Sequence, residues 1–351
     1  MAASRTEFHK LTVDRVDPLT DDSAAVTFDV PDGLRDQFRF APGQSLTIRR
    51  DGERRSYSIC SARGRPPRIG VREVAGGAVS GWLVHQVRPG DVIEVQTPAG
   101  SFTPDLDRPG HHVLIAAGSG ITPILSIAWS VLAARDDSSV TLIYGNRRSD
   151  TVMFADEIAD LKDAYPARAC LVHVLSREPQ EVELFSGRLD PAKLGALLPA
   201  TVDTASVDHW WLCGPYEMVE GALGVLAGLG VPRSRMHREL FYVEDAPPPE
   251  ATHDELPPGP GAEVTIILDG RSSTVTVPPG TAILDGGQQA RPDLPFACKG
   301  GVCGTCRAQV TSGKVTMRRN YALEPEEVAA GYVLTCQSLP ATDTVTVNYD
   351  S

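Results

Sequence analysis

The sequence predicts a multidomain protein in which an antiparallel β-barrel is followed by a parallel α/β domain and a small α+β domain of the β-grasp type. Three observations support this fold class. The chain has 351 residues, enough for two or three domains. Strand-like and helix-like segments alternate through its middle part. A Pro-rich, acidic stretch then precedes a C-terminal region that is rich in cysteine.

The first two domains differ in the pattern of their apolar residues. Residues 1–108 contain short alternating runs interrupted by Gly and Pro, with helical character only near 80–86, which is typical of an antiparallel β-barrel. In residues 109–243, strand-like segments alternate with segments of helical length, such as 154–162 and 216–229. This βαβ pattern predicts a doubly wound parallel sheet that binds ligands beyond the carboxyl ends of its strands. The expected strands are 113–117, 140–144, 169–175, 210–213 and 236–241.

Residues 244–262 are predicted to be a linker. They include six prolines and five acidic residues but no Lys or Arg, so they carry −5 of the formal charge of −12. Such a segment is semi-rigid and extended, and we hypothesise that it lets the last domain shuttle between two docking positions. In residues 263–351, a hairpin around Asp269-Gly270, a short helix at 281–290 and a closing strand at 345–347 predict a small mixed sheet.

The composition excludes several classes of protein. A net charge of −12 without a basic run argues against binding to nucleic acid or to an anionic membrane. The uncharged residues 113–134 are long enough to span a bilayer, but Gly118, Gly120 and Pro123 favour a strand, a turn and a helix beginning at Pro123. The N-terminus lacks the features of a secretory or transit peptide, so a cytoplasmic location is expected.

Four cysteines near the C-terminus have the plant-type spacing for a [2Fe–2S] cluster. Three lie in one Gly-rich loop whose backbone N–H groups can approach the cluster, and the fourth comes from elsewhere. The expected ligands are Cys298, Cys303, Cys306 and Cys336. A structural zinc site is the alternative, although zinc sites usually have two C-x2-C pairs and this sequence has one. The remaining cysteines, expected to be buried packing residues, are Cys60, Cys170 and Cys213.

Several other segments have the composition of nucleotide-binding sites. Alternation along a strand places Arg55 and Tyr57 on one face and Ser58 on the other, which is a weak signal alone. The segment from Gly77 to Ser80 opens a helix, where exposed N–H groups bind anions such as a pyrophosphate. The sequence Gly118-Ser119-Gly120-Ile121-Thr122-Pro123 follows the first parallel strand, where a dinucleotide phosphate is expected, but it lacks the third glycine of the Rossmann fingerprint.

The order of these motifs resembles that of the ferredoxin–NADP reductase superfamily. The resemblance implies that Arg55-Ser56-Tyr57-Ser58 binds FAD, with Arg55 at a phosphate, Tyr57 stacked on the isoalloxazine ring and Ser58 near its N5 atom. Gly77, Val79 and Ser80 would hold the pyrophosphate. The full set assigned to FAD is Arg55, Tyr57, Ser58, Val71, Arg72, Gly77, Val79 and Ser80.

The same resemblance extends to the second domain, where Cys213-Gly214-Pro215 matches a C-G-P motif at the end of the fourth strand. It implies that Thr122 and Cys213 flank the nicotinamide and that Glu239 belongs to the same pocket. The expected catalytic residues are Ser58, Thr122, Cys213 and Glu239. The residues assigned to the nicotinamide nucleotide are Gly118, Gly120, Thr122, Pro123, Arg147, Ser176, Arg177, Cys213, Gly214 and Pro215.

The nucleotide is expected to be NADPH rather than NADH. Arginines at strand ends, Arg147 and Arg177, offer fork-like donors to an adenosine 2′-phosphate. An acidic residue at the ribose would instead indicate NAD, and none follows the second strand before Asp150.

The three-domain order covers nearly the whole chain and resembles the reductase components of bacterial oxygenases. The tail from Asn320 to Ser338 is most similar to the reductase subunits of phenylacetyl-CoA 1,2-epoxidase complexes. The resemblance implies that electrons pass from NADPH through FAD and [2Fe–2S] to a separate diiron oxygenase. The alternatives are the reductase of a Rieske oxygenase such as 3-ketosteroid 9α-hydroxylase, a flavohaemoglobin-like or free flavin reductase, and a redox-sensing module without catalysis.

Overall fold

The computed structural model describes residues 7–241 and 261–351. The chain divides into two compact units, one of residues 8–241 and one that contains the C-terminal residues. Nearly all of the predicted linker at 244–262 lies outside the described residues, so its shuttling role stays a prediction. The three predicted sheet types, antiparallel, parallel and mixed, are all present, which confirms the fold class.

The first sheet is an antiparallel barrel of six strands. In chain order they are β1 (Phe8–Thr20), β2 (Ser23–Asp29), β3 (Ser45–Arg50), β4 (Glu53–Ser58), β5 (Arg68–Arg72) and β6 (Val92–Gln96). Their order in the sheet is β4-β3-β6-β1-β2-β5, and a bridge between Ile59 and Ile69 joins the two edges. One helix, α1 (Ala78–His85), covers the barrel close to the predicted 80–86.

Strand β2 is buried on both faces, and its sequence Ser-Ala-Ala-Val-Thr-Phe accordingly contains no charged residue before Asp29. Val26 and Phe28 point into the barrel core, whereas Ala25 belongs to the core of the parallel sheet that follows. The barrel and the parallel sheet therefore share a hydrophobic core, and residues 8–241 form one compact unit for that reason.

The second sheet is parallel and has five strands. They are β7 (His111–Ala117), β8 (Ser139–Asn146), β9 (Ala169–Leu175), β10 (His209–Gly214) and β11 (Met236–Leu240). Their order is β11-β10-β7-β8-β9, so β7 and β8 lie next to each other near the centre. The helices are α2 (Ile121–Ala134), α3 (Ala155–Ala164), α4 (Pro191–Thr201) and α5 (Tyr216–Gly228). Among the described residues, no helix is both long and apolar enough to cross a membrane.

Two helices differ from the prediction. Helix α2 begins at Ile121 rather than Pro123, because the first turn of a helix tolerates a residue without an N–H. Helix α4 was not predicted, since Gly195 and Pro199 lower its helix propensity. Asp190 caps it by accepting a hydrogen bond from the Lys193 N–H at 2.8 Å.

The prediction that Cys170 is buried is wrong. Its side chain is exposed, because Cys170 lies near the beginning of β9, which is the edge strand of the parallel sheet. Cys60 and Cys213 are buried as expected.

Within its described residues, the C-terminal unit contains a mixed sheet and two short helices. Its strands are β12 (Ala262–Leu268), β13 (Arg271–Val277), β14 (Arg307–Ser312), β15 (Val315–Met317), β16 (Tyr332–Leu334), β17 (Ser338–Pro340) and β18 (Thr344–Asn348). Its helices are α6 (Ile283–Gly287) and α7 (Pro325–Ala329). The main sheet has the order β13-β12-β18-β14-β16, and β12 and β18 pair in parallel. A Cβ at Gly287 would lie 2.6 Å from Ile266, so only a glycine lets α6 pack this closely.

A stack of histidines and tryptophan lies at the amino-terminal edge of the parallel sheet. The rings of Trp211 and His237 are 4.1 Å apart, and those of His112 and His209 are 5.1 Å apart. The Trp211 Nε1–H donates to His112 Nδ1 at 3.1 Å. Burial, together with the nearby His209, lowers the pKa of His112 to about 4. This stack therefore holds its imidazoles in the neutral form.

We predict that this unit loses stability as the pH falls, because the unfolded His112 binds a proton near pH 6.5 and the folded one near pH 4. Between about pH 7 and about pH 5, His112 accounts for a loss of about 2 kcal/mol in the free energy of unfolding. The variant His112→Gln keeps an acceptor for Trp211 but cannot be protonated, so its pH dependence is smaller by that amount. Urea unfolding followed by tryptophan fluorescence measures this, because all four tryptophans lie in residues 8–241.

The surface variant His85→Gln is the control for the loss of a histidine: His85 is half-exposed on α1 and pairs with Glu73, so its replacement leaves the contribution of His112 in place. Equal pH dependence in wild type and His112→Gln would contradict the prediction.

Candidate functional site

Strand β5 joins the barrel to the parallel domain by presenting alternate residues to each. Ile69 and Val71 lie in the barrel core. On the opposite face, a Cβ at Gly70 would lie 2.4 Å from the Thr122 methyl group and 2.9 Å from the Phe154 ring. Only a glycine permits this approach of β5 to helix α2.

Arg68, on the same face of β5, forms a charge network between the domains. Its Nη1 donates to both carboxylate oxygens of Glu157 on α3, at 2.8 and 2.9 Å, and its Nη2 donates to Asp17 at 3.0 Å. The Arg68 side chain is only 10% exposed. Phe154, which precedes α3, has a positive φ of 59° and places its ring 5.5 Å from the Arg68 guanidinium. Such a strained conformation persists only where the surroundings enforce it.

Arg72 makes a further contact between the barrel and the parallel domain. Its Nη2 donates to the Thr151 carbonyl at 2.8 Å, and its Nε donates to Asp22 at 3.2 Å. Sequence reasoning assigned Arg72 to a cofactor but missed the contact between domains. An isolated glycine inside a strand pattern, Arg68-Ile69-Gly70-Val71-Arg72, was the signal that could have revealed it.

Three of the predicted catalytic residues meet across this interface. Ser58, at the end of β4, donates from its Oγ to Glu239 Oε2 at 3.2 Å. Glu239 on β11 pairs with Cys213 on β10. The Glu239 side chain keeps some accessible surface, but dense protein around it removes most of its hydration. This burial raises its pKa to about 8, and the Ser58 hydrogen bond opposes part of the increase. Burial also raises the pKa of the Cys213 thiol well above its usual value, so Cys213 stays protonated.

The glycine-rich turn packs directly on the end of β10. Gly118 has a φ of +54°, and its carbonyl accepts a hydrogen bond from the Tyr144 hydroxyl at 2.9 Å. A Cβ at Gly120 would lie 2.1 Å from the Cys213 carbonyl oxygen, so no other residue fits there. Thr122 is buried in the first turn of α2, which also contains Pro123, and its hydroxyl donates to the Ser119 carbonyl at 3.0 Å. The turn is thus held against Gly214 and Pro215, which precede α5.

On the barrel, the predicted FAD residues divide into two groups. Arg55 is half-exposed and forms an ion pair with Glu53 at 2.9 Å, while burial against the barrel core raises the pKa of Tyr57. The side chains of Val71 and Val79 lie in the barrel core, so only their backbone atoms are available to a ligand.

Gly77 and Ser80 lie at the beginning of α1. The Ser80 hydroxyl donates to the Gly77 carbonyl at 3.3 Å and accepts from the Val74 N–H at 3.1 Å. A Cβ at Gly77 would lie 2.6 Å from Ser80 Oγ, so the turn requires glycine.

The strand-end arginines lie side by side. The Arg177 N–H donates to the Arg147 carbonyl at 2.8 Å, just beyond the paired ends of β8 and β9, and both side chains are exposed. Ser176 lies next to them. Glu178, which sequence reasoning missed, accepts hydrogen bonds from the N–H and the hydroxyl of Ser149, both at 2.9 Å, and these bonds lower its pKa. The Glu178 carboxylate therefore contacts the loop after β8, although Glu178 itself follows β9 in the sequence.

The four C-terminal cysteines form two interacting pairs. The neighbouring Cys303 lowers the pKa of Cys298, and the neighbouring Cys306 lowers the pKa of Cys336. The Gly300 N–H also donates to Cys298 Sγ at 3.3 Å. Among the described residues, no three His, Cys, Asp or Glu side chains converge on the position of a single metal ion. Four thiolates in two pairs are the ligand set of a [2Fe–2S] cluster, in which each iron takes two of them.

We predict that the Arg68 network holds the two domains together. Arg68→Met leaves Glu157 and Asp17 without their buried partner and lowers the free energy of unfolding by about 3 kcal/mol. Arg15→Met is a matched control, because the more exposed Arg15 pairs with the same Asp17 at 3.0 Å and its loss costs less than about 1 kcal/mol. Urea unfolding of both variants measures the difference, and equal losses would show that the network is dispensable.

Comparisons with known families agree with the three sheets. Residues 10–103 match the family described as an oxidoreductase FAD-binding domain, and residues 114–223 match an oxidoreductase NAD-binding domain. Residues 266–341 match a 2Fe-2S iron-sulfur cluster binding domain. The cofactor classes predicted from the sequence are therefore confirmed.

Two relatives match along their full length. The chain is 41% identical over 356 residues to a 1,2-phenylacetyl-CoA epoxidase subunit of Escherichia coli K12, covering 99% of both chains. It is 34% identical over 354 residues to the ferredoxin reductase component of 3-ketosteroid-9-alpha-monooxygenase of Rhodococcus rhodochrous, covering 97% of this chain and 96% of that one.

A solved structure shows the same fold. Phthalate dioxygenase reductase is 22% identical, with a TM-score of 0.59 over 97% of this chain and 98% of that one. With matches to FAD-binding, NAD-binding and 2Fe-2S domains in one chain, this protein belongs to the family of three-domain flavin and iron–sulfur reductases that includes the phenylacetyl-CoA epoxidase subunit of Escherichia coli K12.

Proposed function

We propose that this protein is the reductase component of a multicomponent oxygenase and that its partner is a diiron phenylacetyl-CoA epoxidase. In this proposal, electrons pass from NADPH through FAD and the [2Fe–2S] cluster to the separate oxygenase. The observation that carries the proposal is the 41% identity to the phenylacetyl-CoA epoxidase subunit over 99% of both chains. We assign residues 1–108 to FAD, 109–243 to the nicotinamide nucleotide and 263–351 to the cluster, and we place the protein in the cytoplasm, where thiols stay reduced.

The barrel supplies the proposed FAD site. Arg55 would exchange its ion pair with Glu53 for a phosphate of the cofactor, because a guanidinium binds phosphate with two parallel hydrogen bonds. Tyr57 would supply the aromatic face, and the N–H groups of Val79 and Ser80 would hold the pyrophosphate. Gly77 would shape the turn, since its own N–H donates to the Val74 carbonyl at 2.8 Å. Arg72 and the backbone of Val71 complete this set. FAD, when bound, accepts two electrons together from a nicotinamide and releases them one at a time.

Ser58, Cys213 and Glu239 are proposed to line the place where the nicotinamide meets the flavin. The Ser58–Glu239 hydrogen bond of 3.2 Å spans the barrel and the parallel sheet, so it lies where the two cofactor domains meet. Neutral Glu239 and neutral Cys213 add no negative charge to a site in which the flavin becomes more negative. Thr122, in the first turn of α2, would face the nicotinamide from the same domain as Cys213 and Glu239.

The parallel domain supplies the proposed nucleotide site. The turn containing Gly118 and Gly120 opens α2 and presents N–H groups to a phosphate. Arg147, Ser176 and Arg177 are proposed to bind the adenosine 2′-phosphate, since both arginines are exposed and adjacent. Glu178 is already held by Ser149, which supports NADPH over NADH because that carboxylate is engaged within the protein.

A second candidate is the reductase of a Rieske oxygenase, because the chain is 34% identical to the steroid monooxygenase reductase component. The two candidates share every cofactor and differ only in the oxygenase that accepts the electrons. A redox sensor without catalysis is the third, and it differs in lacking turnover.

The deciding experiment titrates the purified protein with NADPH without oxygen and then supplies oxygenases. We expect the flavin absorbance to bleach first and the cluster absorbance second. Steady NADPH oxidation with epoxide formation is expected with the phenylacetyl-CoA oxygenase component but not with a Rieske steroid oxygenase. Product with the Rieske enzyme alone would select the second candidate, and bleaching without turnover on any acceptor would indicate a sensor.

We predict that Glu239 sets the upper pH limit of flavin reduction. Its carboxyl is neutral below its pKa of about 8, and its ionisation above that value opposes the negative charge that the flavin gains. The rate of flavin reduction by NADPH therefore falls above about pH 8 in the wild type, whereas Glu239→Gln is insensitive to pH there. Anaerobic stopped-flow absorbance measures both profiles.

Two further variants test this assignment. The Ser58 hydrogen bond lowers the pKa of Glu239, so Ser58→Ala moves the fall in rate to higher pH. Glu94→Gln, which removes a surface carboxylate paired with Arg49, keeps the wild-type profile. A profile that persists in Glu239→Gln would assign the ionisation to another group.

A further inference from the structure

The two pairs of cluster cysteines differ in accessibility. Cys306 and Cys336 are buried in the core of the C-terminal unit, whereas Cys298 and Cys303 are partly exposed. An electron acceptor therefore approaches the cluster site from the side of the loop that carries Cys298 and Cys303. The residues that border this loop determine which surfaces dock there.

Arg318 and Arg319 border this loop directly. The Tyr321 N–H donates to the Gly301 carbonyl at 3.0 Å, and a Cβ at Gly301 would lie 3.3 Å from the Arg319 carbonyl oxygen. The Arg318 N–H donates to the carbonyl of Gln337, the residue after Cys336, at 2.8 Å. Both arginines are thus fixed beside the cysteine loop by their backbone.

The two guanidinium groups are not neutralised by ion pairs. Arg291, Lys299 and Arg307 form ion pairs with Asp293, Asp285 and Glu327, respectively. Within residues 7–241 and 261–351, Arg318 and Arg319 form no ion pair, and the Arg318 side chain is exposed. The C-terminal unit as a whole carries more acidic than basic residues, so this positive charge is local.

We propose that Arg318 and Arg319 form a basic rim that docks an acidic surface of the oxygenase beside the cluster. This inference rests on the proposed function. The flavin-containing unit is covalently joined to the C-terminal unit, so transfer between them needs no diffusional encounter. A separate oxygenase must find the cluster by diffusion, and a complementary charge raises that association rate by about tenfold or more at low salt.

The rim is tested first with two small acceptors that need no docking site. Each takes one electron from the reduced cluster: anionic ferricyanide becomes ferrocyanide, and cationic hexaamminecobalt(III) becomes cobalt(II). The variants are Arg318→Glu and Arg319→Glu, with Lys314→Glu as the matched control. Lys314 is an exposed cation just beyond the far end of β14, about 20 Å from the cysteine loop. All three variants make the same change in charge.

The readout is the ratio of the two rates of cluster reoxidation, followed by rapid-freeze EPR of the reduced cluster. A changed cluster potential alters both rates in the same direction, so the ratio reports the local charge. We expect the ferricyanide-to-cobalt ratio to fall about tenfold at low salt in the two arginine variants and to be unchanged in Lys314→Glu. Arg319→Gln should give about half the logarithmic change of Arg319→Glu. An equal fall of this ratio in all three charge-reversal variants would contradict the proposed basic rim.

The second measurement uses the oxygenase component itself. We expect the arginine variants to reduce NADPH-driven turnover about tenfold at low salt, with the difference disappearing at high salt, while NADPH reduces their flavin and cluster at the wild-type rate. Slower flavin-to-cluster transfer would assign the rim to this chain's own flavin domain and overturn the proposal. A different outcome is also informative: the arginine variants change the ferricyanide-to-cobalt ratio as expected, but the wild type gives no turnover with the oxygenase. That result would reject the proposed function without contradicting the positive charge beside the cluster.

Discussion

The close approach of strand β5 to helix α2 is the constraint on which the larger unit depends. The position of Gly70 has no room for a side chain. Arg68 and Arg72 lie two residues before and after it, on the same face of β5, and hydrogen-bond to the parallel domain. The Ser58–Glu239 hydrogen bond crosses the same boundary. A barrel that bound flavin and a sheet that bound nucleotide would not bring their ligands together without such a fixed contact, because electron-pair transfer requires direct contact between the reacting rings.

Much of the fold was predictable because local patterns determined it. The alternation of strand-like and helix-like segments in residues 109–243 is a local signal, as are the Gly and Pro residues that interrupt the barrel strands and the spacing of Cys298, Cys303 and Cys306. The exposed position of Cys170 was not predictable, because it depends on which strand lies at the edge of the sheet. Glu178 was missed for a similar reason: its contact with Ser149 joins the ends of two neighbouring strands that are far apart in sequence.

The site was predictable in its residue types and less so in its electrostatics. The resemblance named Ser58, Cys213 and Glu239, but only the packing shows that burial keeps Glu239 neutral up to about pH 8. The pairing of the cysteines likewise comes from the fold, since spacing alone leaves both an iron pair and a zinc ion open. The match of residues 266–341 to a 2Fe-2S iron-sulfur cluster binding domain separates these two possibilities.

The parallel pairing of β12 with β18 has a consequence for how the protein is made. Glu263 pairs with Thr344, so β12 cannot pair with β18 until about eighty more residues have been translated. Strand β14, which follows the cysteine loop, also pairs with β18. The cysteine loop therefore lacks its supporting sheet until residues 344–348 have been synthesised, and the iron can be inserted into a finished scaffold only after translation of this region.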